Sequence, residues 1–184
     1  MKGHMPYGVH KLTGQADKLY YFVVLRDPVE RAISQYYMTQ TWEQLPGDPL
    51  RQLSNRDLMG FYQSPWTQNL QTRTIAGILA TRIGGLINLN KNTIGRIVFG
   101  AAKKNLKSAY TEFGITERFE ETVARFADCL GFSYQIPEKR HASLPDRPTK
   151  QDMSSVKVEK IKKLNSLDCR LYEFARKEFD KKLL

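Results

Sequence analysis

A helix-rich α/β fold is predicted from two features of the sequence. One unbroken apolar run passes straight into a capped helix, and helical spacing of apolar residues dominates the chain beyond it. The run Tyr20-Tyr21-Phe22-Val23-Val24-Leu25 is aromatic and aliphatic throughout, which suits a strand over 20–26 covered on both faces, as in a parallel sheet. Asp27 then stands where an N-cap belongs, Pro28 at the first helical position and Glu30 at the third, so a helix over 28–40 begins at once. Residues 1–19, ahead of the strand, read as an irregular entry segment. The stretch 41–66 is mixed, with a turn at Pro46-Gly47-Asp48-Pro49 and a short helix over 49–61. Residues 68–81 have helical spacing, and Gly84-Gly85 followed by Asn88–Asn92 interrupts it. A helix over 95–108 leads into a β-like run, 109–115. Thr116 can cap a helix over 117–130, with Phe119, Val123, Phe126 and Leu130 on one face, acids in its first turn and Gly131 at its end. Residues 133–152 read as a long loop. Helices over 154–164 and 167–181 close the chain, the second with Leu167, Leu171, Phe174, Ala175 and Phe179 on one face.

Residues 1–184 make one domain, or most of one. The apolar fraction of 41% supports a core, and 26% charged residues is ordinary for a soluble protein. A net charge of +10 and a pI near 9.6 attract polyanions: nucleic acid, anionic membrane, sulfated sugars or a nucleotide with several phosphates. Nucleic acid is the least expected of these, because no arginine-rich arm or aromatic-basic RNA signature is present. Cys129 and Cys169 are too few and too far apart for a metal site or a disulfide framework, and both read as buried free thiols. There is no signal peptide and no apolar run long enough to cross a membrane, although the chain need not begin where its parent protein does.

Arg26 leaves the carboxyl end of the strand, where open α/β sheets place their ligands, and Ser34 lies about two turns into the following helix. A guanidinium offers a forked pair of donors and a hydroxyl one more, which together suit a phosphate beside the helix. For Arg26 alone, an ion pair with a neighbouring carboxylate reads equally well; the full pattern R-D-P-x-x-R-x-x-S-x-Y favours phosphate. Arg31, one turn before Ser34, either assists or pairs with Glu30 or Asp27.

That pattern resembles the 3′-phosphate motif of sulfotransferases that use 3′-phosphoadenosine-5′-phosphosulfate (PAPS), and the resemblance assigns the phosphate to Arg26 and Ser34. Further segments resemble the carbohydrate branch of that family, which includes heparan sulfate 2-O-sulfotransferase-like enzymes and bacterial relatives. Gly3-His4-Met5-Pro6-Tyr7-Gly8 resembles its G-H-x-P-F/Y-G segment. Phe113–Phe119 resembles its F-G-x-T-E-x-F segment, and Asn165–Phe174 its N-x-x-D-x-x-L-Y helix. Trp66–Gly77 resembles its D-N-x-x-T-R helix, with Gln68 in place of the acid. The resemblance implies a P-loop-type sulfotransferase fold. It departs from the family in lacking the first strand–loop–helix unit, whose loop cradles the 5′-phosphosulfate. A truncated gene model is the expected reason.

The resemblance further implies sulfuryl transfer from PAPS, without a metal, to a hydroxyl of a glycan or other acceptor. Turnover is expected to be impaired in this chain. His4 is the candidate base: an imidazole titrates near neutral pH, and His4 matches the family's G-H histidine. A structural or surface histidine is the open alternative. His10 and His141 read as solvated. The basic loop residues Lys139, Arg140, Arg147 and Lys150 either fold over the nucleotide or are simply solvated. Asn69 and Arg73, four apart on one helical face, either contact an acidic acceptor or serve structure. A bacterial enzyme would be cytoplasmic; an animal relative would sit in the Golgi through an N-terminal anchor. The competing reading is a catalytically inactive protein that binds nucleotide or sulfated glycan.

Overall fold

The computed structural model describes residues 6–13, 20–41, 50, 53–108, 110, 112–134 and 147–181. A single turn, α1 (His10–Thr13), precedes β1 (Phe22–Leu25), which runs into α2 (Pro28–Thr41). α3 (Leu58–Gln63), α4 (Leu70–Ala76), α5 (Ile78–Leu86) and α6 (Thr93–Ser108) then lead to β2 (Glu112–Ile115). α7 (Phe119–Leu130), α8 (Ser155–Leu164) and α9 (Ser166–Lys181) complete the order. β1 and β2 are parallel, paired from Phe22 with Glu112 to Leu25 with Ile115. Parallel pairing requires a crossover, and the intervening helices supply it.

The core forms where the helices cover this ribbon. Leu25, Phe113 and Ile115 from the strands meet Ile75 of α4, Ala102 and Leu106 of α6, and Leu171, Ala175 and Phe179 of α9. A second cluster joins Val29 and Ile33 of α2 to Phe61 and Tyr62 of α3 and Ile161 of α8. α2 is therefore fastened at one end to the sheet and along its length to α3 and α8, which fixes the direction in which residues 26–34 present their side chains.

Several expectations are met and several are corrected. α2, α6, α8 and α9 lie within a residue or two of their expected bounds, and Gly131 ends α7 in the left-handed conformation at φ 69°. β1 is shorter than expected and is not covered on both faces: Val24 is 44% exposed. Apolar content reports that a strand can be buried, not that a neighbour is present to bury it. The expected 68–81 helix is two helices, parted at Gly77, whose φ of 122° no other residue adopts easily. Gly84 and Gly85 do not interrupt a helix; they lie inside α5, where a Cβ would collide with the side chains of Arg73 and Trp66 respectively. Close packing, not chain flexibility, accounts for those glycines. Thr116 does not cap α7; it opens a 3-10 turn, Thr116–Arg118, and α7 starts after it without a side-chain cap. Of the apolar face expected on α7, Phe119, Val123 and Phe126 are half-buried and Leu130 is exposed; the buried residues of α7 are Thr122 and Ala127. The cysteines are free, but Cys129 is exposed and Cys169 half-buried. The turn expected at 46–49 lies outside the described residues.

Candidate functional site

The junction of β1 and α2 is built by side chains from four separate segments. Asp27 is the N-cap that the sequence suggests, its Oδ1 accepting from the backbone N–H groups of Val29 at 2.9 Å and Glu30 at 3.1 Å. Its own N–H donates to Glu117 Oε1 at 2.8 Å, and its Oδ2 accepts from Lys150 Nζ at 3.0 Å. Glu30 therefore does not close a capping box back onto Asp27. Instead its Oε1 accepts from the Lys150 backbone N–H at 2.6 Å, and its Oε2 lies 3.3 Å from Arg147 and 3.6 Å from Arg26.

Arg26 is held from behind. The Gln71 carboxamide accepts from the Arg26 N–H at 2.8 Å and donates to the Arg26 carbonyl at 3.0 Å, as a neighbouring strand would. The guanidinium therefore projects from a fixed backbone. Burial lowers its pKa first, and the nearby Arg147 lowers it further, against partial relief from Glu30, Glu117 and Asp27. Two guanidiniums thus share the Oε2 of one carboxylate, and an added anion relieves their repulsion. Glu30 and Ser34 are four apart within α2, so Ser34 lies one turn beyond Glu30 on the same face of the helix. Ser34 is buried, only 9% exposed, and its hydroxyl makes no hydrogen bond among the described residues. Replacing Gln71 with Ala leaves both backbone groups of Arg26 without their partner. We expect affinity for adenosine 3′,5′-bisphosphate to fall about tenfold; a titration showing wild-type affinity would refute this positioning role.

Behind Gln71 lies a buried polar frame. Asp168 of α9 is fully buried and accepts from the N–H groups of Gln71 at 3.2 Å and Thr72 at 2.7 Å and from Thr72 Oγ1 at 2.7 Å. Arg31 approaches it at 3.8 Å, so this arginine pairs with neither Glu30 nor Asp27. Asn69 and Arg73 serve structure. Asn69 receives the N–H groups of Leu167 and Asp168 at 3.0 and 3.3 Å, and Arg73 donates to the carbonyls of Pro65, Gln68 and Thr81. Both are about 1% exposed, and burial lowers the Arg73 pKa to about 10. Tyr172 donates to Glu117 at 2.7 Å, and burial followed by that bond raises its pKa. Gln68, which departs from the family's acid, bonds the carbonyls of Tyr62 and Gln63. Three of the segments that carry the resemblance therefore meet here: Gln71 comes from Trp66–Gly77, Glu117 from Phe113–Phe119, and Asp168 and Tyr172 from Asn165–Phe174.

Placement of the other sequence-selected residues is mixed. Arg26 and Arg147 meet at Glu30, Lys150 meets Asp27 and Glu30, and Ser34 lies one turn beyond Glu30 along α2. His4, Lys139, Arg140 and His141 lie outside the described residues. His10 is not solvated; it is buried against Tyr7 and Tyr21, and its Nδ1 meets the Tyr21 hydroxyl. Sequence reasoning missed Gln71 and Glu117 as individual residues, although both fall inside the matching segments. Among the described residues no group of three or more His, Cys, Asp or Glu is gathered where a metal could be held, and no helix is long and apolar enough to cross a membrane.

A cationic strand end that runs into a helix on a two-stranded parallel ribbon defines an α/β protein. Residues 7–175 match the model of the sulfotransferase family, so the chain belongs to that family. It is similar to heparan-sulfate 6-O-sulfotransferase 1-B of Danio rerio, 26% identical over 187 residues, which covers 90% of this chain and 45% of the relative. Heparan-sulfate 6-O-sulfotransferase 1 of Gallus gallus is 27% identical over 179 residues, covering 86% and 43%. Heparan-sulfate 6-O-sulfotransferase 3-B of Danio rerio is 30% identical over 186 residues, covering 87% and 42%. These names carry the 6-O position, where the motifs alone suggested 2-O-like enzymes. The chain spans less than half the length of these relatives. No solved structure matches it.

Proposed function

We propose that this chain is the nucleotide-binding portion of a sulfotransferase that moves the sulfuryl group of PAPS to a hydroxyl of a carbohydrate acceptor. The observation that carries this reading is the crowding of Arg26 and Arg147 around one Glu30 oxygen, with Ser34 one turn further along the same helix. In this reading Arg26 and Ser34 hold the 3′-phosphate. Arg147 and Lys150, already tied to the same helix, add charge from the far side. Family membership supports a sulfate-donor nucleotide, and the relatives' names support a sulfated glycan as acceptor.

Transfer resembles phosphoryl transfer: the acceptor hydroxyl attacks sulfur in line, the sulfur–oxygen bond to the 5′-phosphate breaks, and charge grows on that leaving oxygen. His4 would accept the hydroxyl proton. The fold in this reading is the P-loop type, and residues 1–184 belong to a single domain. The exposed Val24 on β1 supports a further unit packing there. A second reading is a chain that binds nucleotide or sulfated glycan without turning it over, and a sulfation assay on the parent protein distinguishes the two. Location would follow the parent chain, cytoplasmic for a bacterial enzyme and Golgi for an animal one.

Calorimetric titration separates these ideas from a structural role for the cluster. Adenosine 3′,5′-bisphosphate should bind, adenosine 5′-monophosphate should bind far more weakly, and Ser34→Ala should cost about fivefold. Equal affinity for the two nucleotides, or no binding by folded protein, would remove the 3′-phosphate site.

A further inference from the structure

No acidic residue occurs between Asp57 and Glu112, a stretch that carries Arg82, Arg96, Lys103, Lys104 and Lys107. Where α6 meets α9, part of this charge is fixed in place by two half-buried rings. Lys103 Nζ lies 4.6 Å from the Phe174 centroid and 5.9 Å from that of Phe99. Lys107 Nζ is 5.6 Å from Phe174, and the Arg170 guanidinium is 4.1 Å from Phe99. A ring face attracts a cation without neutralising it. Glu178 pairs with Lys107 at 3.3 Å and with Lys181 at 2.9 Å. Among the described residues neither Lys103 nor Arg170 has an ion pair, the exposed Glu173 on α9 included.

The cluster is separate from the Arg26 site. Arg170 is two residues beyond Asp168 and so lies about 200° round α9 from the carboxylate that faces Arg31. Lys103 and Lys107 are one turn apart, about 6 Å along the α6 axis, so the charges form a row rather than a point. A row suits a chain polymer better than a single phosphate.

We propose that the α6–α9 face docks an acidic polysaccharide at a site distinct from the nucleotide site. The choice of a glycan rests in part on the sulfotransferase reading. It also rests on the rings themselves, which are covered by cations and so are not open to the base stacking that single-stranded nucleic acids use.

The test is titration of a size-defined heparin oligosaccharide into the wild-type chain, into Lys103→Glu/Arg170→Glu, and into Lys157→Glu/Lys160→Glu. The last pair changes two exposed lysines of α8 and matches the net charge of the first. The α6–α9 pair should lose at least about tenfold in affinity and the α8 pair about threefold or less, because long-range charge alone is largely screened. Lys103→Gln/Arg170→Gln should show a smaller loss of the same sign and guards against misfolding by charge reversal. All variants should bind adenosine 3′,5′-bisphosphate as the wild type does, so loss of the nucleotide site and loss of this face read out separately. Equal losses in the two charge-reversed pairs would overturn the proposal, since net charge alone would then explain binding. So would tighter binding of a single-stranded DNA of equal charge to the same face.

Discussion

Arg26→Ala is expected to weaken binding of adenosine 3′,5′-bisphosphate by about a hundredfold, or about 2.7 kcal/mol, while moving the thermal midpoint by no more than about 3 °C. The asymmetry follows from what the side chain does in the folded protein. Its one ion pair among the described residues is with Glu30 at 3.6 Å, and Glu30 keeps Arg147 at 3.3 Å and the Lys150 N–H at 2.6 Å when Arg26 is gone. Burial and Arg147 both work against its charge, so removing it relieves repulsion as well as breaking a pair. Its loss is therefore nearly neutral for the fold and severe for an anion. Arg26→Lys should recover part of the affinity, since charge returns without the planar fork. Calorimetry and a thermal melt on the same samples decide the matter. A large drop in stability with little change in affinity would make Arg26 a structural residue.

The part of this site that the sequence makes legible is the part written in adjacent residues. Asp27 and Pro28 set the helix start by local chemistry alone, and the Arg26–Ser34 spacing then follows from helical geometry. What cannot be read locally depends on partners distant in the chain. Glu30 has the right position for a capping box, yet Arg147 and the Lys150 N–H offer it a charged partner that its own helix cannot match. Gln71 carries no signal of its own, because a carboxamide that replaces a strand partner looks like any polar helix residue until β1 is placed beside it. Gly84 and Gly85 mislead in the same way. Their punctuating role is a local rule, and the Arg73 and Trp66 side chains against α5 override it. The matching segments mark where the frame lies; only the fold tells that Gln71 alone of them bonds Arg26 directly, with Asp168 behind it.

Asp168→Ala is expected to destabilise the chain by about 4 kcal/mol, lowering the thermal midpoint by roughly 8–16 °C. The carboxylate is fully buried and serves two helices and two guanidiniums at once. It accepts from Gln71 and Thr72 at the start of α4, lies 3.8 Å from Arg31 of α2, and offsets part of the cost of burying Arg73. Without it the Nε of Arg31, already buried and without a hydrogen bond, faces no counter-charge, and two backbone N–H groups lose their acceptor. Leaving a buried charge unpaired costs more than the pair ever contributed. Asp168→Asn keeps one acceptor oxygen and should lose about half as much, although its amide hydrogens then face donors on both sides. The effect should reach the nucleotide as well. Gln71 is oriented through its own N–H to Asp168, so Asp168→Asn should weaken adenosine 3′,5′-bisphosphate binding at temperatures where the variant is still folded. Wild-type affinity in a folded Asp168→Asn would show that the frame stabilises the helices without setting the position of Arg26.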